Sequence, residues 1–83
     1  MPGTETILVL EDNQDIREFV STILQGHGYR VVTASAGWQA LDLAEKSRPA
    51  VLLLDWQLPD ITGLDVLRAL RAGGHTAPAI LMT

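Results

Sequence analysis

The 83-residue sequence is organised by short, uninterrupted runs of aliphatic residues that alternate with longer amphipathic stretches. The runs at residues 7–10, 51–54 and 79–82 read ILVL, VLLL and AILM, and a more polar one at residues 30–33 reads RVVT. An apolar run of this length, closed by a polar break, is typical of a strand buried on both faces of a parallel sheet. The alternation therefore predicts an α/β fold in which helices cover a central sheet.

Between these runs, three segments have the periodicity of amphipathic helices. Asn13 stands where the first helix needs an N-cap, and Ser35 is the expected N-cap of the second helix. The apolar residues recur at spacings of three and four in the first helix and at a spacing of three in the third: Ile16, Phe19, Val20, Ile23 and Leu24, then Leu64, Leu67 and Leu70. The predicted element order is β-α-β-α-β-α-β in one small domain, with right-handed crossovers between parallel strands.

Composition excludes several classes of protein. The net charge is −4 and the six basic residues are scattered, so no nucleic-acid-binding patch is expected. The apolar runs are too short to span a membrane, and the N-terminus lacks the order of a signal peptide. The absence of cysteine rules out a disulfide or a cysteine-ligated zinc ion. A cytoplasmic protein is the expectation.

Three acids follow the predicted strands directly: Glu11 and Asp12 after the first, and Asp55 after the third. A single Asp in such a position is most often a turn or cap residue. In a parallel sheet, however, ligands bind beyond the carboxyl ends of the strands, and neighbouring strands would crowd these carboxylates together. A hard divalent cation would relieve the repulsion, and an Asp55 oxygen could then attack phosphorus. Thr83 ends the next strand and offers a hydroxyl donor.

The segments ILVLEDN (7–13), VLLLDWQLPDITG (51–63) and AILMT (79–83) together resemble the response-regulator receiver domain of bacterial two-component signalling. The resemblance extends over nearly the whole chain. It implies a flavodoxin-like, doubly wound parallel sheet with the strand order 2-1-3-4-5. The four predicted strands of this chain would supply the order 2-1-3-4.

The resemblance also implies residue roles. Asp55 resembles the aspartate that accepts a phosphoryl group from a sensor histidine kinase or phosphotransfer protein. Asp12 resembles the direct Mg²⁺ ligand and Glu11 the outer acid that acts through water, while the backbone carbonyl of Gln57 completes the metal site. Thr83 resembles the switch hydroxyl. Such a domain is a phosphoacceptor switch and not an enzyme in the usual sense.

The family pattern continues with a further helix, a fifth strand and a fifth helix, and nothing in residues 1–83 matches them. The chain is therefore expected to be a receiver fragment whose phosphotransfer is impaired, because the family's fifth-strand lysine has no counterpart here. An alternative is a receiver-like interaction module without phosphotransfer. The chain is also expected to self-associate, through exchanged elements or through pairing at the uncovered edge of the strand at residues 79–82. A haloacid-dehalogenase-type hydrolase would need a second Asp where Gln57 stands.

Overall fold

The alternation of strands and helices is the organising feature of the fold, which a computed structural model describes for residues 5–82. The strands form one parallel sheet in the order β2-β1-β3-β4, so the predicted α/β class and strand order are confirmed. The elements are β1 (Thr6–Leu10), α1 (Gln14–Gly26), β2 (Arg30–Ala34), α2 (Gly37–Ser47), β3 (Val51–Asp55), α3 (Gly63–Ala72) and β4 (Ala79–Met82).

One face of the sheet carries the core. Strand register places Leu8 beside Leu52 and Leu52 beside Ala79, so these side chains project to the same side. Helices α2 and α3 contact each other and cover this side. The buried cluster consists of aliphatic residues from both layers: Leu8, Leu10, Ala34, Ala40, Ala44, Leu52, Leu54, Val66 and Leu70. The core is aliphatic, as expected for a chain in which only 5% of the residues are aromatic.

The opposite face of the sheet is covered only in part. The β1-to-β2 and β2-to-β3 crossovers run in opposite directions along the sheet, so right-handed connections place α1 opposite α2. Among residues 5–82, α1 contacts only β1 and β2, and no helix covers β3 and β4 on this side. Ile80 is consequently 57% exposed, and Phe19 on α1 is 66% exposed. The same part of the chain contains no helix with the length and apolar character needed to cross a lipid bilayer.

The N-termini of the three helices are capped in two different ways. Asn13 Oδ1 accepts a hydrogen bond from the Ile16 amide at 3.0 Å, so the predicted cap of α1 is confirmed. The prediction that Ser35 caps α2 is wrong, because Ala36 occupies the N-cap position and the Ser35 hydroxyl bonds Gln39 Oε1 instead. The side chain that binds the first amides of α2 comes from a distant loop described below.

Gly63 allows α3 to begin directly against the end of β3. Its amide donates to the Trp56 carbonyl at 2.9 Å, which closes the loop between β3 and α3. A Cβ atom at this position would collide with the Asp55 carbonyl oxygen and lie 2.9 Å from the Asp55 carbonyl carbon. Only glycine permits this approach of two backbone segments, and the approach fixes the loop next to Asp55.

The close approach at Gly63 predicts a specific loss of stability. Gly63→Ala should lower the free energy of unfolding by about 1–3 kcal/mol, because the methyl group forces backbone apart in a packed site. Urea denaturation measures this difference. Gly26→Ala is the matched control, since no atom lies within 4 Å of a Cβ built there, and alanine in the last turn of α1 should leave the free energy of unfolding unchanged or raise it by up to about 1 kcal/mol. Equal effects of the two substitutions would contradict the steric argument.

Candidate functional site

The three predicted acids lie together at the carboxyl ends of two central strands. Leu10 of β1 is in register with Leu54 of β3, so the residues that follow them emerge side by side. One carboxylate oxygen from each of Glu11, Asp12 and Asp55 lies within 4.8 Å of the other two. The structure therefore brings together the acids that the sequence indicated. They lie at the carboxyl ends of the strands, where ligands bind to parallel α/β folds.

Glu11 is the buried member of this cluster. Only 7% of the residue is exposed, whereas Asp55 is half-buried and Asp12 is exposed. The Glu11 amide donates to the Ala34 carbonyl at 3.0 Å, and Glu11 Oε2 accepts from the Asn13 amide at 3.1 Å. Burial raises the pKa of Glu11, and the neighbouring Asp12 and Asp55 carboxyl groups raise it further, against the opposing effect of the Asn13 hydrogen bond.

Arg17 lies near the acids but does not neutralise them. Its Nη1 atom donates to the Glu11 carbonyl at 2.9 Å and to the Asp12 carbonyl at 3.4 Å, so the guanidinium group ties α1 to the loop after β1. In the described part of the chain, no basic side chain forms an ion pair with any of the three carboxylates. A cluster of oxygen donors that lacks a protein cation suits a hard divalent metal ion such as Mg²⁺.

A hollow opens beside the acids and is lined by Asp12, Asp55, Trp56 and Gln57. Its volume of about 410 Å³ is many times the roughly 30 Å³ that one water molecule occupies in the liquid, so a hydrated ion and a phosphoryl group both fit. Gln57, the predicted carbonyl ligand, thus lies at the same hollow as two of the acids. Thr83, the predicted switch hydroxyl, lies outside the described residues.

The loop that carries Gln57 is closed on itself. Gln57 forms an antiparallel bridge with Thr62, and the Trp56 amide donates to the Met82 carbonyl at 2.7 Å, which anchors the start of the loop to β4. Asp60, in the same loop, accepts hydrogen bonds from the first two amides of α2. The bond from the Gly37 amide is the main reason that the pKa of Asp60 is lowered. Sequence reasoning missed this contact.

Fold and site together define a doubly wound α/β domain with an acidic site at the carboxyl ends of its central strands. A family model described as the response regulator receiver domain matches residues 7–83. The chain belongs to this family, as the sequence motifs indicated. Receiver domains are signalling switches of two-component systems. The class of function of this chain is therefore that of a signalling switch.

Relatives and solved structures agree with this assignment. The chain is 41% identical over 78 residues to the probable transcriptional regulatory protein TcrX of Mycobacterium tuberculosis, covering 94% of this chain and 33% of the relative. It is 39% identical over 77 residues to the response regulator MprA of Mycobacterium avium, covering 93% and 34%. The chain thus spans about a third of the length of the curated relatives that it matches.

Among solved structures, the chemotaxis response regulator CheY4 of Vibrio cholerae superposes with a TM-score of 0.90 at 34% identity, covering 94% of this chain and 67% of that one. The response regulator TrrA of Thermotoga maritima, solved in complex with Mg²⁺ and BeF, gives a TM-score of 0.88 at 35% identity, covering 94% and 68%. The likeness therefore extends from sequence motifs to the three-dimensional arrangement of the sheet.

The raised pKa of Glu11 predicts a pH-dependent effect on the metal-free chain. Because the folded state holds this pKa above its ordinary value of 4.5, ionisation of Glu11 lowers stability as the pH rises through that range. Glu11→Gln removes the charge and should raise the urea midpoint at pH 7 in a chelator, with a smaller gain at pH 4. Glu18→Gln on the exposed face of α1 is the control. A lower midpoint for Glu11→Gln at pH 7 would contradict the argument.

Proposed function

We propose that the chain accepts a phosphoryl group on Asp55 from a sensor histidine kinase or a phosphotransfer protein, with Mg²⁺ as cofactor. The observation that carries this proposal is the convergence of three carboxylate oxygens within 4.8 Å at the end of β1 and β3. In this proposal Asp12, Asp55 and the Gln57 carbonyl hold the ion, and Glu11 acts through a water molecule. The donor set consists of oxygen atoms alone, as Mg²⁺ requires.

The chemistry of the acceptor follows from the position of Asp55. A carboxylate oxygen attacks phosphorus as the bond from phosphorus to the donor's leaving atom breaks, and the bonding electron pair leaves with that atom. The product is an acyl phosphate on Asp55. Bound Mg²⁺ supplies positive charge that offsets the charge of the transferred group. We propose that the Thr83 hydroxyl then donates to a phosphoryl oxygen and so reports the new state to the surface.

One solved structure supports part of this proposal. The structure of TrrA was solved with Mg²⁺ and BeF, which supports a Mg²⁺ site in a fold that matches this chain closely. TcrX is described as a probable transcriptional regulator, and that description concerns a protein about three times the length of this chain. No output of that kind is proposed for residues 1–83, and the expectations of a cytoplasmic location and of no nucleic-acid contact stay predictions.

Mass spectrometry tests the proposed phosphoacceptor. Incubation with a small phosphodonor and Mg²⁺ should add the mass of one phosphoryl group, and the adduct should be absent in Asp55→Asn and in the presence of a chelator. Asp65→Asn changes the net charge equally but alters an exposed acid on α3, so it should keep the adduct.

Other outcomes identify the alternatives. Bound Mg²⁺ without any adduct on the wild-type chain would favour an interaction module that does not transfer phosphate. Inorganic phosphate released over many turnovers, with no stable adduct, would instead indicate a hydrolase.

We further propose self-association as a second function, because several apolar side chains are exposed on the α1 side of the sheet. Leu53 and Ile80 lie in register on the part of this side that no helix covers within residues 5–82. Ile16, Phe19 and Ile23 are exposed on α1, which packs on the same side of the sheet. The proposed occupant is a second copy of the chain. β4 lies at the end of the sheet order and Ala79–Met82 carries no charge, so the same edge on two copies is self-complementary around a two-fold axis.

Sedimentation velocity at increasing concentration tests this association. The wild-type chain should shift from monomer to dimer, and Phe19→Glu should remain monomeric because it places a charge on the apolar surface. Trp38→Glu is the matched control: Trp38 is 65% exposed, nearly the same as Phe19, but it lies at the start of α2, on the other face of the sheet. A wild-type chain that stays monomeric at the highest concentration would overturn the proposal.

A further inference from the structure

Asp60 connects two parts of the molecule that are far apart in sequence. Its Oδ1 accepts from the Gly37 amide at 2.9 Å and its Oδ2 accepts from the Trp38 amide at 3.2 Å, across 23 and 22 residues. These amides are at the N-terminus of α2, where four donors have no partner within the helix. The local N-cap residue is Ala36, which has no side-chain acceptor. Asp60 therefore caps α2 from the loop after β3.

The same loop forms one side of the acidic hollow. Its remaining hydrogen bonds close it on itself or continue β3: Gly63 to Trp56, Gln57 to Thr62, and Trp56 to Met82. Within residues 5–82, the two bonds of Asp60 are the hydrogen bonds that tie this loop to α2. Asp60 thus fixes the loop to α2 three residues beyond Gln57.

The packing around the contact supports a built junction. A Cβ atom at Gly37 would lie 2.6 Å from Ile61 Cγ1 and 3.1 Å from Val66 Cγ2, so only glycine lets the loop approach the first turn of α2 this closely. Gly37 itself is buried. The part of the loop that follows Gln57 is thus held at two places. Asp60 and Ile61 contact α2, and Gly63 packs against the end of β3.

We propose that Asp60 is a positioning residue for the metal site: by clamping the loop to α2, it holds the Gln57 backbone beside Asp12 and Asp55 and so increases the affinity for Mg²⁺. This inference rests on the proposed function, since it concerns the same site. Asp60 binds backbone amides and not the ion. Removal of a residue that orients a metal ligand typically weakens metal binding 10- to 100-fold.

Isothermal titration calorimetry of the whole 83-residue chain with MgCl₂ tests the inference. Asp60→Ala should weaken Mg²⁺ binding about tenfold. Asp60→Asn should lose less, because its amide oxygen still accepts from one of the two helix amides. Asp42→Ala is the charge-matched control: Asp42 lies on α2 and pairs with Lys46 on the surface, so this variant should bind Mg²⁺ as the wild type does.

A double variant separates positioning from mere helix capping. Asp60→Ala combined with Ala36→Asp places a local acceptor at the extended N-cap position of α2 and leaves the loop unclamped. Thermal unfolding should recover toward the wild-type midpoint, while Mg²⁺ affinity should remain about tenfold weaker. Recovery of both properties would overturn the positioning role and reduce Asp60 to a cap.

The remaining outcomes are also decisive. If Asp60→Ala folds and binds Mg²⁺ as tightly as the wild type, the inference is wrong and the proposed function stands. If the wild-type chain itself binds no Mg²⁺, the proposed metal site fails and the inference fails with it. If Asp60→Ala does not fold, the comparison of Asp60→Asn with Asp42→Asn takes its place, and equal affinities of these two variants would overturn the inference.

Discussion

The parallel pairing of β1 with β3 is the constraint on which the rest of the structure depends. It aligns Leu8 with Leu52 and Leu10 with Leu54, and all four side chains are completely buried. Each fully buried leucine stabilises the fold by roughly 1.5–3 kcal/mol. The same register leaves the acids at the ends of both strands side by side, where their mutual repulsion opposes folding. The packing energy of the two strands thus holds the acidic cluster together, although no basic side chain among residues 5–82 forms an ion pair with it.

A metal ion that binds the acidic cluster would act on this balance. An ion that binds only the folded chain stabilises it by an amount that grows with the ratio of its concentration to its dissociation constant. The ion would act mainly on the acidic cluster itself. Glu11 is buried at the carboxyl end of β1, and its pKa is raised by burial and by the neighbouring carboxyl groups. The carboxylates whose repulsion opposes folding of the metal-free chain are therefore the same groups that would hold the proposed cation.

Much of the fold was predictable because its signals are local. The aliphatic runs at residues 7–10, 51–54 and 79–82 fall within strands, and the apolar periodicity of residues 16–24 falls within α1. The convergence of the three acids was also predictable, since it follows from strand order and from the position of each acid immediately after its strand. These inferences need only the period of the side chains and the handedness of the crossovers.

Contacts between distant segments were not predictable from the same signals. Ser35 satisfied the local rule for an N-cap, yet the helix begins two residues later and its first amides bind Asp60, which lies 23 residues beyond Gly37. Arg17 looked like one of several scattered basic residues, but its guanidinium group binds the Glu11 carbonyl from the first turns of α1. The apolar stripe of α1 had the correct period, but periodicity does not reveal which part of a helix face its neighbours cover.

The loop after β3 shows how these distant contacts and the local motifs combine. Trp56 is bonded to β4, Asp60 to α2, and Gly63 to Trp56 directly after β3, so three elements meet around the segment that carries Gln57. A displacement at the acidic site is therefore resisted by α2 and β4 as well as by β3. The proposed change in charge at Asp55 would act on a loop that is bonded to both α2 and β4. A switch needs such connections, because a charge change alters partner binding only where it moves or reshapes an exposed surface.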